Sequence, residues 1–283
     1  MRTTRKSPDG PDALQGGLDR RQLLLASAGT VMALVLPGGE SRAEADTPRI
    51  PPSDGRLLNT TESFRTRRGS ASGYLTRPAG AGPPRPGILL MHGNEGLTPH
   101  YRDVARRMAI EGFVVLAADF LSLSGGTPDD PVSAQARLER VSRDEALALA
   151  TGALDFLVAR RYTVRRAGVV GFDWGGALAL EFATTTSDVR AVVAYDGELL
   201  DPGLAVRLRV PVTLHRSTKT EEAGAELSEL VEAFEANRIN HDVHLYDDAD
   251  PGFHDHTQPD RHDPEAAERA WERTIAFLTR SLA

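Results

Sequence analysis

The sequence contains no cysteine among its 283 residues. Disulfide bonds, thiolate metal sites and lipid-modified cysteines are therefore excluded. The net charge is −7, and a protein that binds nucleic acid needs a basic face, so this mild acidity argues against a nucleic-acid partner. With 40% hydrophobic and 26% charged residues, the chain has the balance of an ordinary globular protein.

The apolar stretch near the start, LLLASAGTVMALVLP, is too short for an easy membrane span. The pair Arg20–Arg21 precedes this stretch, and Ala43 with Ala45 forms an A-x-A cleavage signal after it. Residues 1–45 therefore resemble a bacterial twin-arginine export peptide. We expect the twin-arginine machinery as a partner, a periplasmic or secreted protein, and no stable membrane association after cleavage. The alternative is a mobile N-terminal helix or an anchor.

For the remainder of the chain, the sequence predicts an extended lead-in over residues 46–70 and one domain over residues 71–283. In that domain apolar runs alternate with amphipathic stretches, which predicts an α/β fold with a mostly parallel central sheet and helices on both faces. Residues 122–141 are polar and irregular, and they are the candidate lid. Strands are predicted over residues 72–78, 86–93, 113–121, 166–172, 189–197, 210–217 and 241–248, and helices over residues 98–112, 142–161, 174–185, 221–237 and 263–282.

The stretch VVGFDWGGALAL at residues 169–180 is a strand, a sharp turn and the start of a helix. Its pattern is that of the nucleophile elbow of α/β-hydrolases, with Asp173 at the tip and glycines where the turn is tight. The stretches EGLTPHYRDVARRMAIEGFVVLAADFL, GFDWGG and AAERAWERTIAFL resemble the dienelactone hydrolase family over nearly all of residues 70–283. That resemblance implies the α/β-hydrolase fold without a large cap, hydrolysis of a small-molecule ester or lactone, and no metal or organic cofactor.

The positions that carry catalysis in that family differ here. The cysteine nucleophile is replaced by Asp173, and the late histidine by Pro251. The family's acid falls near Thr220, and its glutamate beside His92 is Gly93. The thiol mechanism is therefore out of reach for this chain.

A second resemblance involves the same positions. The motifs HGN, DWGG and PGFH resemble those of haloalkane dehalogenases, and DWGG is shared with epoxide hydrolases. The resemblance implies Asp173 as nucleophile, His254 as base and Asp196 as its orienting acid. It also implies Asn94 and Trp174 as leaving-group donors, with the backbone N–H groups of Trp174 and of the turn at Gly93 and Asn94 holding an oxyanion.

An aspartate is ordinarily ionised at neutral pH without a base, unlike a serine. Asp173 could displace a halide or open an epoxide to give its own alkyl ester, which water activated by His254 would then hydrolyse. The helical cap of the dehalogenases has no room here, because the next predicted strand begins soon after Asp196.

Each of these residues also has a structural interpretation. Asp173 could be an inactivating substitution, Asp196 a turn cap, Trp174 core packing and Asn94 a turn residue. His254 competes with His256 for the role of base. His92 is expected to be a scaffold residue at a strand end, and Glu95 a charge at the rim that could orient a water. The segment HDHTQPDRHD lacks the spacing of a metal-binding helix, so it is interpreted as a solvated loop without a metal.

Three functions follow as hypotheses. The first is an exported hydrolase that forms an alkyl ester on Asp173. The second is an ester or lactone hydrolase of carboxymethylenebutenolidase type, with Asp173 acting as a base. The third is a catalytically inactive family member that binds a small molecule.

Overall fold

The structure is a computed structural model that describes residues 47–218 and 223–283. The predicted export peptide, residues 1–45, lies outside the described residues. Within the described part, no helix is both long and apolar enough to cross a membrane.

The described chain is built on one eight-stranded sheet with the order β1-β2-β4-β3-β5-β6-β7-β8. Strand β2 pairs antiparallel with β1 and β4, and the pairs from β4 through β8 are parallel. The mostly parallel sheet predicted from the alternating pattern is confirmed. The strands are β1 (Leu57–Thr66), β2 (Gly69–Pro78), β3 (Arg85–Met91), β4 (Val114–Asp119), β5 (Thr163–Phe172), β6 (Val189–Tyr195), β7 (Val212–Ser217) and β8 (His241–Tyr246).

Helices cover both faces of the sheet, as predicted, because strands β3 to β6 are apolar on both sides and must be buried on both. One core contains residues of α3, α4 and α5, and the other contains residues of α1 and α6. The helices are α1 (Pro99–Ile110), α2 (Pro131–Leu138), α3 (Arg143–Val158), α4 (Trp174–Thr185), α5 (Ala223–Ala236) and α6 (Pro264–Leu282).

Two regions differ from the sequence prediction. The lead-in assigned to residues 46–70 contains all of β1 and the start of β2, so the sheet begins before residue 71. The segment 122–141 is not irregular throughout, since Ser122–Ser124 form a 3-10 turn and α2 follows. Asp130 caps α2 by accepting a hydrogen bond from the Ser133 N–H, and the buried Ala134 and Leu138 fix the helix to the core.

The parallel strands bring their carboxyl ends to one edge of the sheet, where sites of open α/β folds are built. Asp173 follows β5 at this edge, Gly93 follows β3 and Asp196 follows β6. The loop from residue 247 to 263, between β8 and α6, completes the same edge.

Candidate active site

Asp173 stands on a tight turn between β5 and α4, as the elbow pattern predicts. Its φ and ψ are 47° and −115°, a conformation that non-glycine residues rarely adopt. A Cβ at Gly171 would lie 2.0 Å from the carbonyl oxygen of Gly175, and a Cβ at Gly175 would lie 2.4 Å from that of His92. Glycine is therefore required on both sides of the tip. Helix α4 begins at Trp174, and the N–H groups of Gly176 and Ala177 donate to the Asp173 carbonyl, so those of Trp174 and Gly175 are the ones without a partner inside the helix.

The carboxylate of Asp173 is a neighbour of the Tyr101 hydroxyl on α1. A Cβ placed on Gly93 would lie 2.5 Å from Asp173 Oδ2 and 2.3 Å from the Tyr101 hydroxyl oxygen. These two groups fill the space that a side chain at residue 93 would need. This explains why the glutamate expected there from the family pattern is glycine in this chain.

The charge state of Asp173 differs from the sequence expectation. Burial, and then the negative charge of Asp196, raises the pKa of Asp173 to about 7. The charges of Asp255 and Glu95 act in the same direction, and Arg261 opposes them. Asp173 is therefore not fully ionised at neutral pH, because a half-buried carboxylate among other carboxylates is costly to charge.

Tyr101 keeps its proton in this environment. Burial, and then the charge of Asp173, raises the pKa of the Tyr101 phenol well above its ordinary value. The hydroxyl is therefore a hydrogen-bond donor beside a carboxyl that changes charge near neutral pH. Sequence reasoning missed Tyr101, since the family resemblance of its stretch assigns it no role; the only signal was the missing glutamate at Gly93.

Asp196 is held by backbone groups rather than by a histidine. Its Oδ1 accepts a hydrogen bond from the Ser217 N–H at 2.8 Å, and its Oδ2 accepts one from the Gly252 N–H at 3.4 Å. These contacts join the ends of β6 and β7 to the loop after β8. This arrangement matches the turn-capping interpretation of Asp196 more closely than the role of an acid that orients a base.

His254 does not meet either aspartate. Within the described part of the chain its Nδ1 lies 3.3 Å from His100 Nε2, and it hydrogen-bonds to neither Asp173 nor Asp196. Its ring packs on Phe172, with centroids 4.6 Å apart. Burial, and then the charge of His100, lowers the pKa of His254 to about 3. The predicted base is therefore a buried, weakly basic imidazole that this geometry does not bring to the nucleophile.

The local turn explains why His254 is not brought to Asp173. Residues 251–254 form a continuous turn, closed by the hydrogen bond from the Asp255 N–H to the Gly252 carbonyl at 2.9 Å. Pro251 occupies the position at which the family pattern has histidine. The turn carries the next histidine, His254, into the core beside α1.

The two predicted leaving-group donors have different surroundings. Asn94 is exposed, and Trp174 is half-buried with its ring stacked on His92 at a centroid distance of 6.1 Å.

The Phe120 N–H donates to His92 Nε2 at 3.1 Å, which places the ring proton on Nδ1, 2.9 Å from the Gly93 carbonyl. His92 is thus a scaffold residue at the end of β3, as the sequence predicted.

The interpretation of HDHTQPDRHD as a solvated loop fits its middle residues, Pro259 to Arg261, which are exposed, but is wrong for its first three residues. The exposed fractions of His254, Asp255 and His256 are 8%, 6% and 6%. The polarity of the segment concealed that its first three residues pack beneath α1 beside the equally buried His100.

The fold and the elbow define an α/β-hydrolase, and comparison with known proteins gives the family. The family model of the dienelactone hydrolase family matches residues 71–282. The chain belongs to the dienelactone hydrolase family and is a hydrolase.

Similar proteins come from several bacteria. Protein usf of Aquifex pyrophilus is 28% identical over 214 residues, which cover 73% of this chain and 91% of that protein. A protein provisionally named carboxymethylenebutenolidase from Methylorubrum extorquens is 26% identical over 282 residues, which cover 92% of each chain. The crystal structure of a dienelactone hydrolase-like promiscuous phosphotriesterase from metagenomic libraries has a TM-score of 0.73 at 24% identity, over 81% of this chain and 100% of that one.

Proposed function

We propose that the protein hydrolyses a small ester or lactone and that Asp173 is the catalytic base that acts on water. The observation that carries this proposal is the position of the Asp173 carboxylate, at the elbow tip and beside the Tyr101 hydroxyl. A base works best when its pKa is near the working pH, and burial brings the pKa of Asp173 to about 7. The provisional name of the Methylorubrum relative supports the ester or lactone class.

The chemistry needs few further groups. Ionised Asp173 takes a proton from a water molecule whose oxygen bonds to the substrate carbonyl carbon. The oxyanion that forms accepts hydrogen bonds from the N–H groups of Trp174 and Gly175, which have no partner inside α4. As the intermediate collapses, the bond to the alkoxide breaks and protonated Asp173 returns its proton to that leaving group. Water and ester are thereby converted to acid and alcohol, and Asp173 is regenerated.

The second candidate is the alkyl-enzyme route, in which Asp173 bonds to a carbon that bears a halide or an epoxide oxygen. Its support is the location of Asp173 where α/β-hydrolases hold their nucleophile. Its second step needs an activated water, and the predicted base His254 is turned towards His100. Glu95 is the alternative base for that step, since its charge already acts on Asp173.

One experiment separates the two routes. The protein is reacted for a single turnover in heavy-oxygen water with members of an ester, lactone, haloalkane and epoxide panel, and residues 166–185 are then analysed by peptide mass. Label in the product alone supports Asp173 as base, whereas label in the Asp173 carboxyl supports the alkyl-enzyme route. Asp173→Asn should abolish turnover, and Asp188→Asn at an exposed turn is the matched control. No turnover on any substrate would favour the binding-protein hypothesis.

We also propose that residues 1–45 direct export through the twin-arginine machinery, so that the mature protein works in the periplasm or outside the cell. The order of the pair Arg20–Arg21, the apolar stretch and the A-x-A signal supports this proposal.

A further inference from the structure

A second cluster of polar side chains is buried between α1 and the loop that follows β8. It consists of His100, Asp255 and His256, each of which offers one ligand atom within 4.8 Å of the others. Their exposed fractions are 2%, 6% and 6%. Two imidazoles and a carboxylate form a donor set that suits divalent first-row transition ions such as Zn²⁺.

His256 is arranged as a metal ligand would be. Its Nε2 lies 3.3 Å from the carbonyl oxygen of Thr47, and because a carbonyl can only accept, Nε2 carries the proton. In the neutral ring the lone pair is therefore on Nδ1, which is buried and has no hydrogen-bond partner among the described residues. Leaving such an atom unpaired is costly. Metal-bound histidines characteristically donate their other N–H to a carbonyl or a carboxylate.

His100 and Asp255 face each other at a distance that fits two ligands of one ion. His100 Nδ1 lies 2.9 Å from Asp255 Oδ1, yet it makes no well-directed hydrogen bond. Two ligands bound about 2.1 Å from an ion at about a right angle are about 3 Å apart. The other ring nitrogen of His100 is 3.3 Å from His254 Nδ1, so His254 can fix the orientation of the ring.

Asp255 is fixed in place by its neighbours. Its Oδ1 accepts hydrogen bonds from the Thr257 N–H at 2.8 Å and from the Thr257 hydroxyl at 2.7 Å, and its Oδ2 accepts a weaker one from Gln258 at 3.5 Å. His100 and His256 also line a cavity of about 210 Å³, which leaves space for a water ligand to complete the coordination.

From this geometry we propose that His100, Asp255 and His256 bind a divalent first-row transition ion. The ion joins α1, the loop after β8 and the segment at Thr47 that precedes β1. The site does not include Asp173 and does not depend on the proposed esterase chemistry. This proposal reverses the sequence expectation of no metal, which rested on the spacing within one segment and could not include His100.

The test is direct titration of the untagged full-length chain, freed of metal by chelation, with Co²⁺ and Zn²⁺. Co²⁺ gives visible absorption bands when imidazole and carboxylate ligands enclose it, and Zn²⁺ binding is measured by calorimetry and by the shift in Tm. We expect one equivalent to bind and to raise Tm, because an ion that binds only the folded state stabilises it. His256→Gln and Asp255→Asn should each weaken binding by at least about tenfold. His244→Gln, on β8 outside the cluster, is the control.

Equal binding by the wild-type chain and by both cluster variants, or no binding by the wild-type chain, would overturn the proposal. The latter result would leave the cluster as a buried group of polar side chains that holds no ion. Circular dichroism of each variant without metal establishes that it is folded. If His256→Gln is unfolded, Asp255→Asn, which preserves the size of the side chain, decides the question.

Discussion

Asp173 Oδ2 and the Tyr101 hydroxyl lie side by side in the space that a Cβ at residue 93 would occupy. A carboxyl on the elbow thereby lies near a hydroxyl from α1, although 72 positions separate the two residues in sequence. Asp173 stands where the family pattern has its cysteine, and Gly93 stands where the pattern has its glutamate. Together the two oxygens limit the side-chain size allowed at residue 93, after β3.

Gly93→Ala should disrupt this pair. The added methyl would lie 2.3 Å and 2.5 Å from the two oxygens, so at least one of them must move. We expect kcat/KM to fall by at least about tenfold, a barrier increase of about 1.4 kcal/mol. Gly82→Ala is the matched control, because a Cβ at Gly82 meets nothing within 4 Å. Full activity of Gly93→Ala would show that the position of the Tyr101 hydroxyl is irrelevant to turnover.

Much of this arrangement could be predicted from the sequence. Helix α4 was predicted with its observed bounds, since an apolar strand and a pair of glycines frame it. The position of Asp173 at the elbow followed from the same pattern. The capping of α3 by Ser142 followed from its S-x-x-E start, and the Glu145 N–H donates to Ser142 at 3.2 Å.

The rest depended on contacts between distant segments. The family resemblance of the stretch that forms α1 assigns no role to its side chains, so neither the role of Tyr101 nor the approach of His100 to Asp255 could be inferred from local patterns. The polarity of residues 254–263 suggested exposure, because burial by another helix leaves no periodic signal in so short a loop. The raised pKa of Asp173 arises from Asp196, Asp255 and Glu95 together, and their convergence is a property of the fold.

Activity should rise with pH through about 7. If ionised Asp173 is the reacting form, about a tenth of the molecules are active at pH 6 and about nine tenths at pH 8. The measurement is kcat/KM over pH 5–9 with an ester substrate. Glu95→Gln removes one negative charge that raises the pKa of Asp173, so its profile should shift to lower pH. An unmoved or upward-shifted profile would contradict this electrostatic account.

The Asp173 carboxyl should lower the free energy of unfolding when it is charged. The folded-state pKa of Asp173, about 7, lies above the ordinary value of 3.8, so the folded state binds the proton more tightly. The stability that the protonated Asp173 carboxyl gives the folded state is fully present below about pH 4. It is lost as the pH rises towards 7 and above.

Asp173→Asn removes this penalty and retains a residue that tolerates a positive φ. The free energy of unfolding should therefore exceed that of the wild type at pH 8, by at most about 4 kcal/mol, with water at the half-buried carboxyl reducing the gain. The gain should shrink at pH 5. Urea unfolding at the two pH values, with Asp188→Asn for comparison, measures it. A variant that is less stable at pH 8 would contradict the assignment of a raised pKa.

Export should depend on the arginine pair. Changing Arg20→Lys together with Arg21→Lys preserves the charge but removes the twin arginine, so the protein should accumulate in the cytoplasm. Cell fractionation with an antibody against the folded domain measures the distribution. Arg5→Lys, in the same N-terminal segment, is the matched control. Normal periplasmic levels of the double variant would disprove twin-arginine export.

The assignment of the base gives the last prediction. His254→Phe preserves the aromatic packing on Phe172 but removes both ring nitrogens, so a role of His254 in catalysis would be lost while the core is maintained. Because His254 faces His100 and not Asp173, we expect ester hydrolysis to change by less than about threefold, a difference of under about 0.7 kcal/mol in the barrier. Asp173→Asn should abolish it. Tm measured on each variant separates loss of activity from loss of fold. A folded His254→Phe variant as inactive as Asp173→Asn would restore His254 as the base and would require the loop after β8 to rearrange during turnover.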